Sequence, residues 1–167
     1  PAAPRHLDAA PLWREDLHLV GPADAGLSLS APVSLADLAR FPIILPSAGH
    51  GLRGLLEHYA ARHDVALRVE IEADAMRIQK DLTARGLGFT ALPFAAVKPE
   101  VEASNLSAAP IVDPAVPHRV IRAFPGDRPV SRAARLLGDR MTVVVRRMIA
   151  AGAWPGLIPE SPDLTPD

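Results

Sequence analysis

The hydrophobic pattern changes period several times along the chain, and each change marks an element. Asp16 to Val20 alternates and stops at Gly21-Pro22, which predicts a strand running into a linker. A small-residue, polar connection over 23–32 follows. Ser34, with Asp37 three positions on, resembles a capping box with Asp in the usual Glu place, and opens a short helix ending near Arg40. The apolar strand Phe41 to Leu45 then stops at Pro46. Leu52, Leu55, Leu56, Tyr59, Ala60 and His63 fall on one helical face. Arg68 to Ile71 alternates as a strand. Asp74 stands where an N-cap belongs, ahead of a helix with Ala75, Ile78 and Leu82 as apolar positions and Gly86 as its C′ residue.

Leu87 to Leu92 reads as a buried strand, Pro93 begins a short excursion, and Leu106 to Val112 is extended again. The order strand, helix, strand, helix, strand predicts a parallel sheet with right-handed crossovers. Asp113-Pro114 breaks the chain a second time, and Arg119 to Phe124 forms a further strand. Ser131 caps a last helix running to about Ala150, with Ala134, Leu137, Met141, Val144, Val145 and Met148 as its apolar face. Trp154 to Asp167, punctuated by Pro155, Pro159, Pro162 and Pro166, reads as a disordered or loosely docked tail.

Composition narrows what such elements do. With 167 residues, 49% of them hydrophobic, the chain is able to bury a real core. A net charge of -1 argues against a large basic face that itself grips nucleic acid. The absence of cysteine excludes disulfides, thiolate metal sites and cysteine nucleophiles. No stretch approaches the run of about 18 apolar residues that a membrane helix needs, and Pro1 to Ala10 has no apolar signal core.

Two segments carry the candidate chemistry. In Ile43-Ile44-Leu45-Pro46-Ser47-Ala48-Gly49-His50-Gly51-Leu52-Arg53 an apolar strand gives way to glycines and then to a helix, whose first N–H groups and dipole suit a carboxylate, sulfate or phosphate. In Gly86-Leu87-Gly88-Phe89-Thr90-Ala91-Leu92-Pro93 a second glycine pair adjoins a second apolar strand. Together they make a candidate ligand cleft. Ser47, Gly49 and His50 supply a hydroxyl, backbone and an imidazole at the first segment. Phe89 and Thr90, with Pro93 just beyond, are expected to line the neighbouring strand end, Phe89 serving as a ligand shelf or as core. GxxxxGK[ST] does not occur, which argues against a P-loop site for a nucleoside triphosphate. His58 and His63 beside Glu57 form neither HExxH nor a same-face pair, which leaves no metal site. No nucleophile elbow accompanies Ser47, and no enzymatic activity is expected.

In their order along the chain these motifs resemble the effector-binding domain of LysR-type bacterial transcriptional regulators. Leu12 to Pro22 is similar to that family's strand entering its hinge, Val33 to Leu38 to the short helix opening the second lobe, and Leu106 to Ile111 to the strand before the return crossing. His50-Gly51-Leu52-Arg53 and Ala153-Trp154-Pro155-Gly156 resemble the nitrogen-assimilation-control-like members. The resemblance covers roughly Pro11 to Gly152. It implies an α/β, periplasmic-binding-protein-like fold of two lobes, with lobe II complete and lobe I incomplete. Residues 1–23 then belong to regulatory lobe I, 24–115 to lobe II, 116–152 to the return into lobe I with its C-terminal helix, and 153–167 to a flexible tail.

The same resemblance implies a small organic acid or anion as effector and no cofactor. Ser47 matches a family pocket position. Asp74, Met76 and Arg77 start the helix that borders the family's cleft, Asp74 as a cap and Arg77 either paired with an effector carboxylate or solvated. A homodimer or tetramer in the cytoplasm is implied, with the last helix in the dimer surface. DNA is contacted only through an N-terminal helix-turn-helix outside this chain. A solute-binding protein of a transport system shares the two-lobe architecture and is the alternative.

Overall fold

A computed structural model describes residues 7–158, and the chain divides into two units: the residues up to Glu15 together with those from Arg119 onward, and Asp16–His118. The strand β1 (Leu7–Pro22) starts well before Asp16, where alternation places it, and runs from the first unit into the second. Its second half pairs antiparallel with two strands at once, which is why the chain stays extended there.

Around that half of β1 the second unit is built from β2 (Val33–Ser34), β3 (Pro42–Leu45), β4 (Arg68–Glu72), β5 (Phe89–Pro93) and β6 (Leu106–Val112), in the sheet order β2-β6-β1-β5-β3-β4. The expected parallel sheet is present, since β3 pairs parallel with both β4 and β5, and β2 with β6. It is interrupted by β1, which runs against both of its neighbours. Leu17 and Leu19 on β1, Ile43 and Leu45 on β3, Ala91 on β5 and Ile111 on β6 meet Leu35, Leu38 and Leu56 in one buried cluster. At about 25 cal/mol per Å² of apolar surface, such a cluster is the main source of this unit's stability.

Three helices cover the sheet: α1 (Gly51–Arg62), α2 (Met76–Ala84) and α3 (Phe94–Glu102). On α1 the expected face holds, with Leu56 and Ala60 buried and Leu52, Leu55 and Tyr59 partly so; His63 is exposed at its C-cap. Of the expected capping box Ser34 and Asp37 do pair, although Leu35 is the N-cap residue and carries no side-chain cap. Ser34 Oγ donates to Asp37 Oδ2 at 2.7 Å and accepts from the Asp37 N–H at 3.1 Å, opening a 3-10 helix over Ala36–Arg40. Gly86, at φ 75°, is the C′ residue of α2 and donates to the Thr83 carbonyl at 2.9 Å.

The face of α2 departs from its sequence pattern. Gln79 and Thr83 are the buried residues, while Ile78 is 48% exposed. Propensity and apolar spacing lose here to a pair of hydrogen bonds that only a buried glutamine makes, described below.

In the first unit β7 (Pro117–Pro125) pairs with β1 and leads to α4 (Arg132–Ala150), capped as expected by Ser131 Oγ, which accepts from the Ala134 N–H at 3.2 Å. The helix is rotated from the expected face. Gly138 and Val145 are buried, whereas Leu137, Met141 and Val144 are exposed. Gly138 seats the helix on β7: a Cβ there would stand 2.6 Å from the tip of the Phe124 ring, so the glycine admits this close approach without the ring giving way. Arg122 reinforces the seat, donating from Nη1 to Asp139 Oδ1 at 2.7 Å and lying over the Phe124 ring. Trp154 does not begin a loose tail. Its ring packs on Trp13 at 5.2 Å, and Arg14 and Leu157 exchange backbone hydrogen bonds of 2.9 and 2.7 Å. Two aromatic faces and a bridge outweigh the prolines; 159–167 lie outside the described residues.

Candidate functional site

Ligands of open α/β sheets bind beyond the carboxyl ends of parallel strands. Here those ends are Leu45 of β3, Glu72 of β4 and Pro93 of β5, with the loops 46–50 and 73–75 continuing from the first two. The loops are tied together by one carboxylate. Ser47 donates both its backbone N–H and its hydroxyl to Asp74 Oδ1, at 2.8 and 2.7 Å. The Ala73 N–H donates to the Leu45 carbonyl at 2.9 Å. Both bonds to Asp74 are charge-assisted and therefore strong for their kind. The Ser47 N–H first, and the Ser47 hydroxyl second, hold the Asp74 carboxyl below the usual carboxylate range against the opposing effect of burial, with the charge of His50 adding to the shift.

This geometry corrects the reading of Asp74 as a helix cap. The N-cap of α2 is Ala75, and no side chain caps it. A carboxylate with two donors within reach across the sheet end is better satisfied there than by a neighbouring helix amide. His50 takes the capping role at α1 instead, its Nδ1 accepting from the Leu52 N–H at 3.2 Å. Gly49 precedes it at φ 93°, a backbone conformation that suits glycine. The N–H groups of Ser47 and Leu52 are thus already engaged, and the exposed His50 ring, the Gly49 backbone and Asp74 make up the rim of the site.

Phe89 falls at the wrong end of the sheet for the expected cleft. It opens β5, pairing with Ile43 near the start of β3, and its ring packs on Phe41 at 4.6 Å. The glycine pair comes before the strand rather than after it. Gly86 ends α2, and Gly88 lets β5 lie close to β3, where a Cβ would meet the Ile44 side chain at 2.9 Å. Thr90, opposite Ile44, is fully buried and offers nothing to solvent. Pro93 is the residue of this segment at the carboxyl end, followed by Phe94, whose ring meets His18 at 5.2 Å.

Met76 and Arg77 stand in the first turn of α2 and line a groove of about 790 Å³ with Lys80, Asp81, Glu100 and Asn105. The Arg77 side chain is 90% exposed and lies 4.0 Å from Asp81. Within the groove Lys80 pairs with Glu100 and donates to the Ala96 carbonyl at 3.2 Å. Burial raises the Glu100 carboxyl, but the Lys80 bond, a backbone N–H and the Lys80 charge outweigh it and leave the group below its usual range.

Two residues that sequence reasoning gave no role belong to the site's frame. Arg53 donates to the Pro46 carbonyl at 3.0 Å and to Glu57 Oε1 at 2.7 Å, and pairs with Glu72, so it joins the ends of β3 and β4 to α1. Its spacing of four from Glu57 is the one signal that marks it in the sequence. Gln79, only 2% exposed, donates from Nε2 to the Ala73 carbonyl at 2.7 Å and accepts from Thr90 Oγ1 at 3.3 Å. Nothing in the sequence marks it. Among the described residues no group of three or more His, Asp and Glu is arranged to hold a metal ion.

Known proteins give this arrangement a family. The chain is 33% identical over 155 residues to the HTH-type transcriptional regulator BbuR of Bordetella bronchiseptica, covering 92% of this chain and 48% of that protein. It therefore spans about half the length of this curated relative. Among solved structures it is similar to the Synechocystis PCC6803 CcmR regulatory domain in complex with 2-PG, with TM-score 0.76 and 21% identity, covering 89% of this chain and 73% of that one. It is also similar to the effector-binding domain of QuiR in complex with shikimate, with TM-score 0.71 and 17% identity, covering 85% and 66%. At such identities these two likenesses speak for the fold, which is the mixed α/β, periplasmic-binding-protein-like fold of LysR regulatory domains. Residues 1–146 match the LysR substrate binding domain family, and the chain belongs to it.

Proposed function

We propose that the chain is the effector-sensing and oligomerisation domain of a LysR-type, DNA-binding transcriptional regulator, holding a small organic acid or anion at the carboxyl ends of β3, β4 and β5. The observation that carries this reading is the Ser47–Asp74 clamp, which joins two loops at the sheet end where α1 begins in a chain of this family. Related folds bind 2-PG and shikimate, small acids of the proposed class. Ser47, Gly49, His50, Asp74 and Pro93 are the proposed contacts, and residues 24–115 the effector-binding lobe.

No bond is made or broken in this reading. A carboxyl held below its usual range is a poor base for the Ser47 hydroxyl it accepts from. The effector instead shifts a population of domain arrangements. The exposed Leu137, Met141 and Val144 of α4 give the domain an apolar face suited to pairing in a homodimer. DNA is contacted by a helix-turn-helix outside this chain, in the cytoplasm. A HTH-type regulator as relative favours this over a transport-type solute-binding protein.

A thermal-denaturation screen of this chain against small carboxylates, phosphorylated acids, amino acids and inorganic anions tests the proposal. Binding to the native state at a hundred times Kd stabilises by about 2.7 kcal/mol, a readable shift in Tm. The expected result is stabilisation by one acid that is lost in Ser47→Ala. Stabilisation that Ser47→Ala leaves intact moves the site elsewhere, and no response in the full-length regulator overturns the class of effector.

A further inference from the structure

We propose that Gln79 is the positioning residue of the strand-end site, a buried strut that sets the Ala73–Asp74 loop from inside the fold so that Asp74 meets Ser47. The inference deepens the proposed function, resting on it only in calling those loops an effector site.

The argument starts from a helix face that packing alone does not explain. On α2 the side toward the sheet carries Gln79 and Thr83, while Met76 and Ile78 lie in solvent. A primary amide taken out of water is costly unless both of its ends find partners. Both do. The Nε2 group donates to the Ala73 carbonyl at 2.7 Å, and Oε1 accepts from the Thr90 hydroxyl at 3.3 Å. Thr90 is fully buried on β5, held in register with Ile44 of β3 and Val20 of β1, so the strut is anchored in the rigid centre of the sheet.

Its far end is held as firmly. The Ala73 N–H donates to the Leu45 carbonyl at 2.9 Å while its carbonyl accepts from Gln79, so both backbone polar groups of this residue are fixed. The next residue is Asp74, whose Oδ1 accepts twice from Ser47. A continuous line of hydrogen bonds therefore runs from Thr90 through Gln79 and the Ala73–Asp74 backbone to Ser47, and joins β5, α2 and the loops after β4 and β3. The Ala73 end demands a donor, and the Thr90 hydroxyl, able to serve as either, here donates. Glutamine supplies a donor and an acceptor in one side chain, methionine fills the same length with neither, and ionised glutamate offers only acceptors.

The test uses this chain without any ligand. Gln79→Met keeps the volume and removes both bonds. The expected result is a folded variant in which the Leu19 and Ile43 amides keep their exchange protection, the Ser47 N–H exchanges at least tenfold faster, and the Asp74 carboxyl titrates closer to its ordinary value by ¹³C NMR. Thr90→Val removes only the inner bond and moves both readouts the same way by less; it decides the matter if Gln79→Met does not fold. Unchanged Ser47 exchange and Asp74 titration in a folded variant overturn the proposal. Because no effector enters the measurement, such a failure leaves the effector reading standing, and a failed effector screen leaves the strut standing.

Discussion

In the second unit Leu38, Ile43 and Leu56 end at zero exposure, with Ile78 of α2 at 48% and Leu87 at 52% as exceptions, whereas on α4 of the first unit Leu137 is 62% exposed, Val144 54% and Met141 51%. The two regions have equally clear hydrophobic patterns and opposite outcomes. Periodicity states that a helix owns an apolar stripe; it does not state what covers the stripe. For α1 the answer is its own sheet. For α4 it is not, since the side set against Phe124 is that of Gly138.

Truncating one leucine in each region puts that contrast to its strongest test. Leu56→Ala opens a cavity in a closed cluster and should cost about 2–5 kcal/mol. In the monomer Leu137→Ala removes a side chain already in water and should stay within about 0.5 kcal/mol. Urea denaturation of both variants at two protein concentrations measures the difference. A Leu137→Ala cost that grows with concentration would break the contrast, since the stripe would then be covered by another copy in solution.

Glycine substitutions come next in size. At Gly21 a Cβ would stand 2.6 Å from the Phe89 ring and 3.0 Å from the Ala25 Cβ, with Phe89 braced against Phe41. Gly21→Ala should therefore cost about 1–3 kcal/mol as overpacking. At Gly138 the closest atom is the tip of a half-buried Phe124, with Arg122 Cδ at 3.1 Å, and alanine gains up to about 1 kcal/mol of helix propensity. Gly138→Ala should accordingly cost less than Gly21→Ala. Equal costs by denaturation would mean that the seat of α4 on β7 is as rigid as the core of the second unit.

What the sequence disclosed follows the same division. The order of elements, the Ser34–Asp37 box, Gly86 and the inner face of α1 were legible because each is set within a few residues of chain. The direction of the site was not. Gly86 and Gly88 have the composition of a ligand loop, yet they end a helix and admit a close strand, and only the register of β5 against β3 puts Phe89 at the far end. Asp74 has the position of a cap, and only the pairing of β3 with β4 gives it Ser47, 27 residues away. Gln79 left no signal because its two partners, Ala73 and Thr90, are brought together by tertiary structure alone.

The smallest expected effects fall on the polar groups that the second unit leaves at its surface, where they are pinned instead of bare. Asp74 and Asp37 both titrate below the usual carboxylate range, so their native partners favour the charged form. Their contribution is complete above the unfolded value near about 3.9 and is lost as pH falls through the lower native value, which makes the unit weaker in acid and indifferent to neutral pH. Both groups are exposed, so the loss is read at the carboxyl itself by ¹³C titration rather than in global stability. The two sites should then separate under a matched pair of substitutions. For Asp37 the Ser34 hydroxyl is the largest cause, ahead of Arg40, and Ser34→Ala removes it. For Asp74 the largest cause is the Ser47 backbone N–H, which Ser47→Ala retains. The Asp37 midpoint should therefore rise further toward its ordinary value than the Asp74 midpoint does. A larger rise at Asp74 would mean that the Ser47 backbone is held in place by its own hydroxyl, and that the loop after β3 depends on the clamp it makes rather than on the strand behind it.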